Sequence, residues 1–207
     1  MVNQVGICTR TPQDLKLQAE VNEGQKSHKE NATTKARAWS KLSHGLAIAS
    51  DGGILIPYLG ASWNSVNTNR FAGLNATNSE KTRRLLEIMD LLEGDQRQVR
   101  WIECVALAEN GKLLGDWTAE GRAGVLVKEL KERVPTRGFW VDALWHFPNL
   151  DKMHANLSPS DRNQINDPWE IIKPYVQSYL LQGYQITPAG KPVGHRPSRR
   201  NQLDHPR

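Results

Sequence analysis

The dipeptide Asn110-Gly111 constrains this chain's fold more than any other feature. It separates the apolar run 99–108 from the segment 112–118. Asn and Gly both accept positive φ, which the tight two-residue turn of an antiparallel hairpin needs. The run before the turn reads as a well-buried strand, with Cys104 as a buried thiol. A hairpin of this kind has to be covered by other elements, and the rest of the sequence supplies them.

Residues 27–42 read as a helix. Ser27 is placed as its N-cap with Glu30 three residues on, the spacing of a capping box. Ala32, Ala36 and Trp39 share the apolar face, and Gly45 ends the helix. A second amphipathic helix is predicted over 80–92, with Leu85, Leu86, Met89 and Leu92 on one side. A third spans 168–181, with Pro168 in its first turn and a kink expected at Pro174.

Strand-like runs at 46–49 and 54–59 flank Asp51-Gly52-Gly53, which reads as a turn. Glu120-Gly121-Arg122-Ala123-Gly124 precedes another run at 125–130. Residues 139–147 are strongly aromatic. As a strand they would place Phe139, Val141, Ala143 and Trp145 on one face, and Trp140, Asp142 and Leu144 on the other. Strands and helices mix without a regular βαβ beat. The expectation is an α/β protein with a mixed sheet, an antiparallel hairpin and flanking helices.

The 207 residues suit one domain over 1–182, followed by a tail at 183–207. The tail has five Lys/Arg, one acid and almost no apolar residues, a composition expected to be disordered. Net charge is +5, of which the tail carries +4. Nucleic-acid binding is therefore not expected of the body, and only the arginine-rich tail offers a route to it. Cys8 and Cys104 have no metal-like spacing. No apolar window approaches a membrane span, and no signal peptide is legible. A reducing, cytoplasmic setting is the expectation. The six histidines lack zinc-site spacing, and neither a Walker loop nor a Rossmann fingerprint is present.

Three groups carry chemistry. Glu30 and Lys35 lie a turn and a half apart on the first helix: the acid can hold a cation or simply cap the helix, the lysine can reach phosphate oxygens or stay solvated. Asp51 precedes two glycines. Its carboxylate can bind metal or accept a proton from water, the alternative being an ordinary Asp-Gly hairpin. Phe139, Trp140 and Asp142 suit a base platform with a polar reader, or a packed core strand. Arg70, Arg83 and Arg84 are candidate phosphate contacts, the last two equally plain helix-surface charges. Magnesium fits such a set, because it prefers carboxylate oxygens plus substrate phosphates over an all-protein cage, so two or three acids suffice.

Taken in order, these segments resemble the Ham1-like inosine/xanthosine triphosphate pyrophosphatases. Glu23-Gly24 through Glu30-Asn31-Ala32-Thr33-Thr34-Lys35-Ala36 looks like the family's Glu-x-Gly…Glu-Asn-Ala-x-x-Lys-Ala. Ser50-Asp51-Gly52-Gly53-Ile54 is similar to its Asp-Asp-Ser-Gly-Leu, and Asn69-Arg70-Phe71-Ala72-Gly73 to its Ala-Arg-Tyr-Ala-Gly. Residues 83–92 match its Leu-Leu helix, 120–124 its Glu-Gly-x-x-x-Gly turn, and Gly138-Phe139-Trp140-Val141-Asp142 its Gly-Phe-Gly-Tyr-Asp.

The resemblance implies an elongated, two-lobed α/β body with a mixed sheet, usually a homodimer. It implies hydrolysis of non-standard purine nucleoside triphosphates to monophosphate and pyrophosphate with Mg²⁺. Glu30 and Asp51 would hold the metal and activate water, with Asp51 as general base. Lys35 would contact the triphosphate, Phe139 would stack on the base, and Asp142 would help bind the nucleotide.

The chain also departs from the pattern. Residues 2–10 lack the family's Asn-x-x-Lys phosphate loop, so a strand, loop and helix are expected to be missing. Ser50 replaces the first acid of the pair, and Asn166-Asp167-Pro168 stands where the family has Ser-His-Arg. Gly194-His195-Arg196 imitates that motif beyond the last helix. An inactive nucleotide-binding or protein-interaction module is the alternative expectation.

Overall fold

The computed structural model describes residues 7–21, 24, 27–130 and 139–184. The expectations for residues 1–6, Glu23, Gly138 and almost all of the tail, including His195-Arg196, lie outside the described residues.

The hairpin is present. β2 (Gln98–Glu109) and β3 (Lys112–Leu126) pair antiparallel from Glu109↔Lys112 onward. Asn110 (φ 49°) and Gly111 (φ 84°) supply the two positive φ angles the turn requires. β1 (Leu46–Leu55) flanks β2, while β4 (Trp145–Phe147) and β5 (Lys152–Met153) extend the sheet in the order β1-β2-β3-β4-β5. Every pairing among the described strands is antiparallel.

Helices cover both sides of this sheet. α1 (His28–Ser43) starts where Ser27 accepts from the Glu30 N–H, and His44 closes it in the left-handed region (φ 51°). Ala32 and Ala36 of α1 pack on Cys104, Ala106 and Ala108, small residues that let helix and sheet approach closely. On the opposite face α4 (Pro168–Tyr184) lays Ile172, Val176 and Leu180 against Val105, Leu107 and Ala119, and runs through Pro174. Further along the strands lies a separate core. There Ile54, Ile56, Val99 and Leu126 meet Leu85 and Met89 of α2 (Asn78–Ile88) together with Trp140, Leu144 and Trp145. Burying each such aliphatic side chain contributes about 1.5–3 kcal/mol. The long strands thus thread all three cores, and the site lies where they meet. A short α3 (Pro159–Arg162), capped by Ser158, links Leu157 and Ile165 of the core around Trp140.

Four local expectations are corrected. Asp51-Gly52-Gly53 is not a turn: β1 runs straight through it, with Asp51↔Cys104, Gly52↔Glu103 and Gly53↔Ile102 in register. The glycines are needed for clearance. A Cβ on Gly53 would lie 2.3 Å from the Ser65 carbonyl oxygen, and one on Gly52 2.6 Å from Glu103 Oε2. Second, β1 ends at Leu55, because Pro57 opens a 3-10 turn.

Third, residues 120–124 lie inside β3. An extra residue near Arg122 (φ 51°) bulges the strand there, and its N–H bonds the Ile165 carbonyl at 2.9 Å. Fourth, Trp140–Ala143 form a 3-10 turn, so strand alternation does not apply. Trp140, Val141, Ala143, Leu144 and Trp145 are all buried.

Candidate active site

The loop after β1 folds back along that strand. Thr68 Oγ1 accepts from the Ile54 N–H at 3.1 Å and donates to the Ser65 carbonyl at 2.6 Å, while the Trp63 indole donates to the Ile54 carbonyl at 2.7 Å. This pinning brings Arg70 towards Asp51. Between the loop, β1, α1 and the start of α4 lies a cleft of about 580 Å³, whose wall includes Lys35, Asp51, Arg70, Glu103, Phe139 and Trp169.

Asp51 is the centre of its polar wall. One face of α1 carries His28, Asn31 and Lys35 at helical spacing, and all three reach the same carboxylate. Lys35 Nζ is 2.8 Å from Oδ1, while His28 Nδ1 and Asn31 Nδ2 are 2.7 and 3.3 Å from Oδ2. A carboxylate only accepts, so Nδ1 is the protonated nitrogen. Nε2 on the other side of the ring meets Ser65 Oγ at 2.9 Å. Burial works to raise the Asp51 pKa. The hydrogen bonds from His28 and Lys35, with their charges, outweigh it and hold the carboxyl below its usual range.

Of the residues singled out in sequence, Asp51, Lys35, Arg70 and Phe139 meet at this cleft. Glu30 does not join them. It is exposed, on the outward face of α1 with Thr34 and Arg37, well over 90° around the helix from His28 and Lys35 at about 100° per residue. Trp140 is 1% exposed and stacks on Phe71 (centroids 5.3 Å apart), placing it beneath the cleft in the core. Asp142 pairs instead with His154, 3.2 Å away. Arg83 and Arg84 pair with Glu87 on the exposed side of α2. Asp167, in the segment aligned with the family's base reader, accepts from Arg122 at 2.7 Å and from the Trp169 N–H at 2.9 Å. It anchors the start of α4.

Sequence reasoning missed His28, Asn31, Trp101, Trp169 and Glu103. Glu103 had a signal, being an acid inside the most apolar run of the chain. It is 4% exposed. Burial pushes its carboxyl above the usual range, partly offset by the Trp101 indole, which donates to Oε2 at 2.7 Å. Trp101 also meets Phe139 edge-on at 5.1 Å. Among the described residues, no three or more His, Cys, Asp or Glu side chains gather as a metal cluster, and no helix is long and apolar enough to cross a membrane.

Comparison with known proteins agrees with this architecture. The chain is 32% identical over 157 residues to a dITP/XTP pyrophosphatase of Desulforamulus reducens, covering 74% of each chain. It is 28% identical over 173 residues to one from Bacillus licheniformis, covering 84% of this chain and 86% of the other. The structure of a HAM1 protein from Coxiella burnetii matches with a TM-score of 0.66 at 25% identity, over 79% of this chain and 81% of that one. The Staphylococcus aureus Ham1 protein matches in fold with a TM-score of 0.67 at 21% identity, over 83% and 84%. A sequence profile of the Ham1 family spans residues 2–167, taking in α1, the hairpin and most of the cleft, and this chain therefore belongs to the Ham1 family.

Proposed function

We propose that this protein hydrolyses non-standard purine nucleoside triphosphates of the dITP/XTP type to monophosphate and pyrophosphate. The observation that carries this reading is the placing of Asp51, Lys35, Arg70 and Phe139 around one cleft, in a chain whose relatives are named dITP/XTP pyrophosphatases. Phe139 supplies an aromatic face for the base, and Lys35 and Arg70 supply positive charge for the phosphates. Asp51, kept ionised by its α1 partners, orients the attacking water and takes its proton.

The oxygen donors fit magnesium. His28 and Asn31 hold Oδ2, while Lys35 takes one of the two lone-pair sites on Oδ1; once Lys35 turns to the phosphates, Oδ1 has one site for a hard cation and one for the water. When bound, the ion would neutralise phosphate charge and polarise the scissile linkage. Function as a homodimer in the cytoplasm belongs to the same reading, and sedimentation of the purified chain tests the dimer.

A second reading, an inactive nucleotide-binding relative, is favoured by one observation: Lys35 is already paired with Asp51. Pyrophosphate release across dITP, ITP, XTP and the four standard triphosphates, with Asp51→Asn as control, decides between them. Turnover that vanishes in the control supports the enzyme. Nucleotide binding without turnover supports the second reading.

A further inference from the structure

The aromatic side of the cleft has a carboxylate in its wall. Strand alternation sets Trp101, Glu103 and Val105 on one face of β2, and Val105 packs on α4. Asp51, in register with Cys104, belongs to the other face, where α1 lies. At the β1 edge the cleft reaches both faces: Lys35 and Asp51 line it from the α1 side, and Trp101, Glu103, Phe139 and Trp169 from the α4 side.

On the α4 side the contacts form a chain. Trp101 meets Phe139 edge-on, with centroids 5.1 Å apart, and its indole N–H donates to Glu103 Oε2 at 2.7 Å. The carboxylate is thus one side chain away from the ring that offers a face to the base. Glu103 is held there as an acceptor. Trp101 and the Ser50 hydroxyl both favour its charged form, and two donors do not exhaust the four or so lone-pair sites of a carboxylate. Gly52, opposite on β1, gives it room, because a Cβ there would lie 2.6 Å from Oε2. Asp142, the acid that the sequence suggested as polar reader, is turned to His154 instead.

An acceptor fixed beside an aromatic face distinguishes purines by the proton at N1. Hypoxanthine, xanthine and guanine are 6-oxopurines and carry N1–H. Adenine has a bare lone pair at N1, which would face the carboxylate with no proton between them. Two buried acceptors opposed in this way cost binding free energy.

We propose that Glu103 reads the base, accepting a hydrogen bond from the N1–H of a 6-oxopurine stacked on Phe139, and so discriminates against adenine. The assignment rests on the functional reading above for the ligand being a purine nucleotide. It is tested on the full chain by equilibrium binding of the α,β-methylene analogues of dITP, dGTP and dATP with Mg²⁺ present, alongside pyrophosphate release from the parent triphosphates.

Wild type is expected to favour dITP and dGTP over dATP by about tenfold or more. Glu103→Gln introduces an amide that can donate to the adenine N1, and should lower that ratio by about tenfold. A purely structural role for Glu103 would weaken all the ligands alike, and an unchanged ratio overturns the proposal. Wild type that binds dATP as tightly as dITP overturns it too. Thermal melts establish that the variant is folded. If it is not, wild type decides: 1-methyl-ITP, which lacks N1–H, should displace the dITP analogue about tenfold less well than ITP, and equal displacement overturns the proposal. Selective, Glu103-dependent binding without turnover defeats the enzyme reading and leaves the base reader standing. Turnover without preference between dITP and dATP does the reverse, and absence of any nucleotide binding overturns both.

Discussion

Lys35 Nζ lies 2.8 Å from Asp51 Oδ1, joining the third turn of α1 to the middle of β1. The two side chains are only 21% and 15% exposed, so solvent screens the pair weakly. The lysine therefore holds the acid in place. Lys35→Met is expected to lower stability by about 1–3 kcal/mol, because it leaves a partly buried carboxylate short of a charged donor. Urea denaturation measures that loss. In the assay the same variant should raise KM for the triphosphate.

Asp51→Asn keeps the size of the side chain but removes the charge and the proton acceptor. Turnover should fall by about 10²–10⁴-fold with the fold retained. A variant retaining more than a tenth of wild-type turnover would remove Asp51 from the chemistry.

Gly53 sits where the loop crosses β1. A Cβ there would meet the Ser65 carbonyl oxygen at 2.3 Å, His28 Cε1 at 2.8 Å and Thr68 Oγ1 at 2.9 Å. Because the closest atom is backbone, it cannot rotate aside. Gly53→Ala should cost about 1–3 kcal/mol and disturb the His28–Asp51 contact. Calorimetry together with the imidazole resonances of His28 would show both effects.

Arg97 is a buried clip. Its guanidinium donates to the Leu126 and Val127 carbonyls, both at 2.7 Å, and to the carbonyl of Met89 at the end of α2. It is 4% exposed. Arg97→Ala strands these acceptors and should destabilise the protein by about 3 kcal/mol or more, read as a lower urea midpoint.

Asp161, at the third position of α3, accepts at Oδ2 from Lys152 Nζ at 2.8 Å and from the hydroxyl and N–H of the cap residue Ser158 at 2.7 and 2.8 Å, and these hydrogen bonds lower its pKa from 3.8 to about 2. A carboxyl depressed in the folded state stabilises above its unfolded pKa, and that contribution is lost as pH falls through the folded value. Between about pH 4 and pH 2, wild type should lose stability that Asp161→Asn does not. Parallel melting curves for the two in that window would reverse this view.

The helices and the hairpin were legible because their signals are local. Ser27 caps α1, Ala32 and Ala36 recur on its inner face, and Asn110-Gly111 needs no distant partner to favour its turn. The strands beside the glycines were misread for a related reason. Gly52-Gly53 and Gly121 look like turns in sequence. They are glycines because Glu103, Ser65 and the Asn166 carbonyl press against the backbone there, and such pressure comes from residues far away in the chain. The aromatic stretch 139–147 misled in the same way: alternation assumes a strand, and Trp140–Ala143 is a turn.

The sequence by itself pointed to the Ham1 family, the elements that build it, and a candidate set in which Asp51, Lys35, Arg70 and Phe139 stood beside Glu30, Trp140 and Asp142. Only the tertiary structure decided which acids share a cleft. Helix phase turns Glu30 outward, while the register of β1 on β2 sets Glu103 opposite Gly52. Burial is a property of the assembled sheet and helices, so the enclosure of Glu103 shows itself only once the chain has folded around it.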